Sequence, residues 1–186
     1  MTKRKNITIL GIDPGTQVTG YGIINANGYT ADLIAIGTIH TSKFDDHYDK
    51  LCKIYDRVLE IINSYQPEVL AIEAPFYAKN VQSMLKLGRA QGMAIAAALS
   101  KKIVIQEFSP KRIKQSITGN GNASKEQVAA MLCQILKTKD LPNQLDATDG
   151  LAAAMCYHFS LNSINQNGKR YTGWKAFVAD NPKKVK

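Results

Sequence analysis

The sequence predicts an α/β domain built on one mixed five-stranded sheet flanked by helices. Three observations lead there. Three short β-branched or apolar runs come first, two of them joined by a hairpin signal, which points to an antiparallel half. Short apolar runs then alternate with helical periodicity, the pattern of parallel β-α-β units. The length of 186 residues suits one domain and leaves little room for two.

Residues 6–13, "NITILGID", read as a buried strand. Residues 18–26 and 32–41 read as two more, joined at "NANGY". A helix over 46–65 follows, with Tyr48, Leu51, Tyr55, Val58, Ile62 and Tyr65 recurring at three and four to make one apolar face. Pro67 ends it, and Val69–Ile72 form a short buried strand that stops at Glu73. Residues 79–100 read as a helix with Leu85, Gly88, Gly92, Ala96 and Leu99 along one stripe, which suits either the sheet or an interface. "KKIVIQEF" is the fifth strand. "SPKRIKQSI" is a short helix with Ser109 as cap and Pro110 in its first turn. After the Gly-rich "TGNGNAS", Ser124 and Gln127 form a capping-box pattern that opens another helix. The last helix covers about 146–161, and beyond Asn162 the pattern dissolves into a basic tail in which Trp174 and Phe177 are candidates to dock on the body.

No segment approaches the ~20 apolar residues of a membrane span, and the basic start "MTKRKNITIL" leads into a strand rather than a cleavage site. A cytoplasmic protein is expected. Cys52, Cys133 and Cys156 are far apart and form no CxxC, so each is read as a buried inert thiol. The formal charge is +9, from 24 Lys and Arg against 15 Asp and Glu, which points to a polyanionic partner.

The placement of the acids is more telling than their number. Strands one and four both end on a carboxylate, Asp13 and Glu73. If the two strands are parallel neighbours, both acids emerge at the edge where open α/β sheets bind ligands. Asp146 and Asp149 sit three apart at a helix start and share a face. The apolar turns that follow, Leu151 to Met155, must pack on the sheet and bring this pair towards the other two. Taken singly, three of the acids have an ordinary alternative, an Asx turn for Asp13 and a helix cap or dipole charge for Asp146 and Asp149, whereas Glu73, a strand-end acid before Ala-Pro, has no obvious capping duty. Together they repel unless a cation neutralises them. All-oxygen donors select Mg²⁺ or Mn²⁺, and a pair of such ions about 3.5–4 Å apart suits in-line displacement at phosphorus.

Basic residues complement this cluster. Lys79, Lys86 and Arg89 fall near one helix face, and Lys111, Arg112, Lys114 and Lys125 lie in a stretch poor in acids. A nucleic acid laid across them would gain from counterion release. "TGNGNAS" either cradles a phosphate with backbone N–H groups or is a plain loop. Phe76 and Tyr77 follow Glu73 closely, so they either stack on an unpaired base or, for Phe76, plug the core.

"GIDPGTQVTGYG", "AIEAPFYAKN", "LKLGRAQG", "KQSITGNGNASK" and "DATDGLA", in this order and at these separations, resemble the RuvC family of Holliday junction resolvases across residues 6–160. The resemblance implies a ribonuclease H-like fold, a homodimer, and Mg²⁺-dependent paired nicking of a four-way junction that leaves 5′-phosphate and 3′-hydroxyl ends. It places catalytic, metal-binding acids at Asp13, Glu73, Asp146 and Asp149, catalytic lysines at Lys114 and Lys125, and a junction-probing aromatic at Phe76. It further implies a branch-migration motor of the RuvA and RuvB type as partner. On this reading residues 1–162 are the nuclease domain and 163–186 a basic tail. Two departures stand out. Ala74-Pro75 follows Glu73 where many members have a polar residue, which stiffens the loop. Gly150 stands where Ala is common, which weakens the helix start by up to ~1 kcal/mol.

Rival readings are a phosphotransferase of the actin and sugar-kinase type, a non-catalytic nucleic-acid-binding module, and an RNA nuclease of the same fold. The first needs a second domain that the length does not allow. The second has no use for four clustered acids. The third shares the chemistry but not the substrate, and the Phe76 loop argues against it.

Overall fold

The computed structural model describes residues 6–75, 80–138, 141 and 145–166, with the backbone alone at 163–166. Its strands are β1 (Ile7–Asp13), β2 (Val18–Asn27), β3 (Thr30–His40), β4 (Val69–Glu73) and β5 (Val104–Phe108). Its helices are α1 (His47–Tyr65), α2 (Val81–Ser100), α3 (Pro110–Thr118), α4 (Lys125–Ile135) and α5 (Leu145–Gln166). The sheet order is β3-β2-β1-β4-β5. β1 pairs antiparallel with β2, and β2 with β3; β1 pairs parallel with β4, and β4 with β5. The mixed five-stranded sheet expected from the sequence is therefore present. In the β2–β3 hairpin Asn27 pairs with Thr30, leaving Gly28 and Tyr29 as the turn. Gly28 takes φ 62°, as the first central position of a type II′ turn requires.

Side chains alternate across a strand, and the apolar residues divide accordingly. Leu10, Ile12, Ile23, Leu70 and Ile72 pack with Ile54, Val58 and Ile61 of α1 and Ala90, Ala94 and Ala97 of α2. Ile9, Ile24, Ala26 and Ala71 pack on the other face with Leu151 to Cys156 of α5. Helix α5 is fully buried over that stretch, because it is covered by α3 and α4 as well as lying on the sheet. A helix enclosed on all sides is apolar all round, which "LAAAMC" satisfies.

Caps fix the helix starts. Asp46, Asn80 and Ser109 accept from first-turn N–H groups of α1, α2 and α3. Ser124 and Gln127 form the expected capping box on α4. Pro110 occupies the first turn of α3, as read from the sequence.

Several expectations need correction. The buried face of α1 is Ile54, Val58, Ile61 and Ile62, whereas Tyr48 is 70% exposed and Tyr65 is also exposed. The phenol rings carry a polar tip that tolerates water, so the aliphatic residues take the core. Cys52 is exposed on the same helix and is not a buried thiol; Cys133 is half-buried and only Cys156 is buried. The α2 stripe of Leu85, Gly92, Ala96 and Leu99 faces solvent, while Ala90, Gln91, Ala94, Ala97 and Ala98 face the sheet side. Helix α5 continues to Gln166, past the expected boundary at 162, and residues 167–186, including Trp174 and Phe177, lie outside the described residues.

The contact that sets the depth of α5 is made with glycines. A Cβ on Gly22 would lie 2.5 Å from the Leu151 Cα, and one on Gly11 would fall on the Gly150 carbonyl. Gly22→Ala should therefore destabilise the fold by about 1–3 kcal/mol through overpacking. By contrast, Gly88 and Gly92 on the exposed α2 stripe have open space where a Cβ would go. Gly88→Ala should raise stability by up to about 1 kcal/mol, the helix-propensity gain. Denaturant midpoints measure both, and equal effects at the two positions would contradict the packing described.

Candidate active site

The site is assembled by strand parity and register. Asp13 follows Ile9 and Gly11 on the α5 side of β1, and Glu73 follows Ala71 on the same side of β4. The parallel register pairs Ile12 with Ile72, so the next step sets Asp13 beside Glu73. Across the other edge of β1, Asp13 pairs with Gly20 of β2. A Cβ on Gly20 would fall on the Asp146 carbonyl, so the start of α5 rests where that side chain would be. In the same contact a Cβ on Gly150 would lie 2.6 Å from the Gly20 carbonyl oxygen. Gly150, read from sequence as a weakness of the helix start, is what lets the helix come this close.

Lys125, the first residue of α4, reaches into this acidic group. Its Nζ forms an ion pair with Asp149 Oδ2 and lies 3.5 Å from Asp146 Oδ1. The "TGNGNAS" loop in front of it closes on itself. The Asn120 and Asn122 N–H groups donate to Thr118 and Asn120 side chains, that of Ala123 to the Asn120 carbonyl, and that of Ser124 to Gln127. Four N–H groups of the loop are thus already used, so it serves as a rigid mount for Lys125 more than as a phosphate cradle. Lys114 of α3 is close enough to act electrostatically on both Glu73 and Asp149.

The electrostatics show crowding. Burial, reinforced by the charges of Glu73, Asp149 and Asp146 against that of Lys125, pushes the Asp13 carboxyl up to about 8. Burial and the charge of Asp149 push Glu73 up to about 7, against Lys125 and Lys114. Asp149 is also raised by burial, in spite of its hydrogen bond to Lys125. For Lys125 burial disfavours the charge, but the hydrogen bond and charge of Asp149, with Asp13 and Asp146, outweigh it and raise its pKa. These are the marks of acids held together with too little positive charge among them.

That imbalance is the test of whether a metal fits. Among the described residues no three His, Cys, Asp or Glu side chains are already gathered as a ligand set. The ammonium of Lys125 instead stands among the acids as a partial counter-charge. The donors are all carboxylate, half-buried and mutually repelling, which suits a hard divalent cation.

Two further features were not foreseen from sequence. Thr41 and Thr19, both buried, hold the loop after Asp13 by its main chain: the Thr41 hydroxyl donates to the Thr16 and Gln17 carbonyls, and Thr19 bonds the Gly15 N–H and carbonyl. Gln91 of α2 donates to the Glu73 carbonyl. Gly20 and Gly22, two apart on β2, carried a readable signal for close backbone approach; Gln91, set among the alanines of α2, carried another.

The family described as "Crossover junction endodeoxyribonuclease RuvC" matches residues 9–157. The chain belongs to the RuvC family. A RuvC of Bacteroides fragilis is 57% identical over 184 residues, covering 98% of this chain and 97% of that protein. One of Christiangramia forsetii is 56% identical over 178 residues, covering 96% and 92%. Thermus thermophilus RuvC, solved in complex with Holliday junction substrate, has a TM-score of 0.78 at 30% identity, covering 84% of this chain and 96% of that one. The yeast mitochondrial Holliday junction resolvase Ydc2 shares the fold, with a TM-score of 0.62 at 14% identity, covering 86% of this chain and 82% of that one. The ribonuclease H-like architecture is thus shared with known resolvases. Of the RuvC-type residues expected from sequence, the structure brings Asp13, Glu73, Asp146, Asp149 and Lys125 together, with Lys114 nearby. Lys86 and Arg89 are exposed on α2 and Lys111 on α3, while Arg112 lines a separate pocket with Ser116, Cys156 and Phe159. Phe76, Tyr77 and Lys79 lie outside the described residues.

In the metal-free protein Asp13 and Glu73 hold protons when folded that they release when unfolded. Their ordinary values are 3.8 and 4.5 and their folded values about 8 and about 7. A raised carboxyl costs nothing below its unfolded pKa, and its penalty on the fold grows until pH passes the folded pKa. Asp13→Asn should therefore become progressively more stable than wild type from about pH 5 to about pH 8. Thermal melts in EDTA measure this, and a difference that does not change with pH would contradict the crowding.

Proposed function

We propose that this protein is a structure-selective DNA endonuclease that resolves four-way (Holliday) junctions by paired symmetric nicks, in DNA recombination and repair. The observation that carries the reading is the convergence of Asp13, Glu73 and Asp149 around one lysine at the carboxyl edge of two parallel strands. Membership of the RuvC family and the likeness to a resolvase solved with its junction support the substrate.

Asp13, Glu73, Asp146 and Asp149 would hold Mg²⁺, two ions per subunit because four acids exceed the charge of one, with Mn²⁺ able to substitute. When bound, such ions acidify an attacking water and steady a leaving oxygen. The acids supply oxygen ligands once their protons are gone. Lys125 balances Asp149 and Asp146, and its charge would be available to the scissile phosphate where a metal takes over theirs. Lys114 adds a second positive charge on the same side. Hydrolysis that breaks the bond to the 3′-oxygen leaves 5′-phosphate and 3′-hydroxyl ends.

Lys79, Lys86, Arg89, Lys111 and Arg112 are assigned to the DNA backbone, and Phe76 and Tyr77 to the unpaired bases at the junction centre. A homodimer matches a two-fold substrate with one active site per cut strand. On α2 the exposed Leu85, Gly92, Ala96 and Leu99, with half-buried Gly88 between them, are not used by the sheet and offer a surface for the second copy. A motor of the RuvA and RuvB type remains the expected partner. No helix of the described residues is long and apolar enough to cross a membrane; the expected cytoplasmic location belongs to this same reading. The nuclease is assigned to the chain up to the end of α5 at Gln166, and the residues after it to a basic tail.

Purified protein incubated with synthetic four-way junctions and linear duplexes should cut only the junctions, with Mg²⁺ and not with EDTA. Asp13→Asn should lower cutting by at least about two orders of magnitude while junction binding stays within a few-fold, because metal ligation is lost and not a DNA contact. Normal cutting by that variant would overturn the assignment. Phe76→Ala should reduce cleavage more than affinity; equal loss of both with a destabilised fold would return Phe76 to the core.

A further inference from the structure

Gln91 sits on the buried face of α2 among Ala90, Ala94 and Ala97 and is only 7% exposed. A buried amide is costly unless its hydrogen bonds are made, and the neighbouring alanines show that packing alone would accept a small apolar residue. The Gln91 amide nitrogen donates to the main-chain carbonyl of Glu73 at 3.2 Å and to the Glu107 carboxylate at 3.0 Å. These two acceptors lie on adjacent strands, β4 and β5, at the edge where both strands end. Just beyond, the Ala74 N–H donates to the Phe108 carbonyl at 2.9 Å, the last rung before the chain leaves the sheet. One side chain therefore fastens α2 to the point from which the Glu73 carboxylate projects.

We propose that Gln91 is a positioning residue for Glu73: its amide ties the Glu73 carbonyl to α2 and β5 and so fixes the direction in which the carboxylate is presented. This rests on the reading of Glu73 as a metal-binding, hydrolytic residue. It also gives α2, which carries the exposed stripe and the basic residues Lys86 and Arg89, a direct mechanical link to the acidic cluster. Partners that orient a metal-binding carboxylate without touching the metal commonly matter by about 10–100-fold in metal affinity or activity.

The test uses three variants of the full-length protein. Gln91→Glu keeps the shape but loses the donors and faces Glu107 with a like charge. Gln91→Met keeps the length with no polar group, in case the first variant is unstable. The double variant Gln91→Glu/Glu107→Gln restores a bond between α2 and β5 with its polarity reversed, yet leaves the Glu73 carbonyl without its donor. The readouts are Mn²⁺ affinity by calorimetry without DNA, the Mg²⁺ concentration for half-maximal cleavage, junction affinity in EDTA, and melting temperature. The expected result is a roughly tenfold or larger weakening of metal affinity in all three, with junction affinity within twofold of wild type and the melting temperature recovered in the double variant. Unchanged metal affinity in the single variants would overturn the inference, as would its full recovery in the double variant, since either would make Gln91 merely a tie between α2 and β5. A wild type that cuts equally well in EDTA would overturn the reading of Glu73 itself, and the inference with it.

Discussion

Helix α5 rests on the bare main chain of β1 and β2, and the rest of the site depends on that contact. Gly11, Gly20 and Gly22 present no side chains to the helix, and Gly150 presents none to the strands. The helix therefore sits close enough for Asp146 and Asp149 to share a site with acids that project from strand ends. Register does the remainder, because β1 and β4 run parallel and place Asp13 beside Glu73. The same helix is buried on every side by the sheet, α3 and α4, so its position is fixed by the hydrophobic core and not by the acids it carries. Burial of the core is the force that holds like charges together.

The consequence is a site with a deficit of positive charge inside a protein with an excess of it. The formal net charge is +9, yet among the described residues that surround the acids only Lys125 makes ion pairs with them. Asp13 and Glu73 respond by keeping protons near neutral pH. A divalent cation and a phosphate backbone would correct both imbalances at once: the cation relieves the carboxylates, and the backbone relieves the lysines and arginines around them. Stability of the free protein and reactivity of a metal-loaded one would thereby be opposed, as is common where acids are clustered for chemistry.

Much of this was legible in the sequence where the signal was local. An apolar run that stops at a carboxylate, with proline next or one residue on, marks both Asp13 and Glu73, and period-two alternation decides which face they take. Ser109, Pro110, Ser124 and Gln127 announce their helix starts through capping chemistry that depends on neighbours only. What the sequence obscured depends on contacts between distant elements. Tyr48 and Tyr65 fit the helical period of α1, but Ile54 and Ile61 win the core. The α2 stripe of small residues looks like a packing surface and is left to solvent, while the alanines beside it are buried. Gly150 looks like a cost until Gly20 is seen beneath it. Gln91 is one polar residue on the buried, alanine-rich face of α2, and nothing local tells that its partner is the main chain of Glu73.

On the proposed function, the clustered acids keep protons that a divalent ion would displace. Calorimetry of Mg²⁺ or Mn²⁺ binding near pH 7, repeated in buffers of different ionisation enthalpy, counts the protons exchanged. Metal binding to protonated ligands releases protons, so the account predicts a net release of about one or more per chain that disappears in Asp13→Asn together with tight binding. Tight binding with no proton released would contradict it.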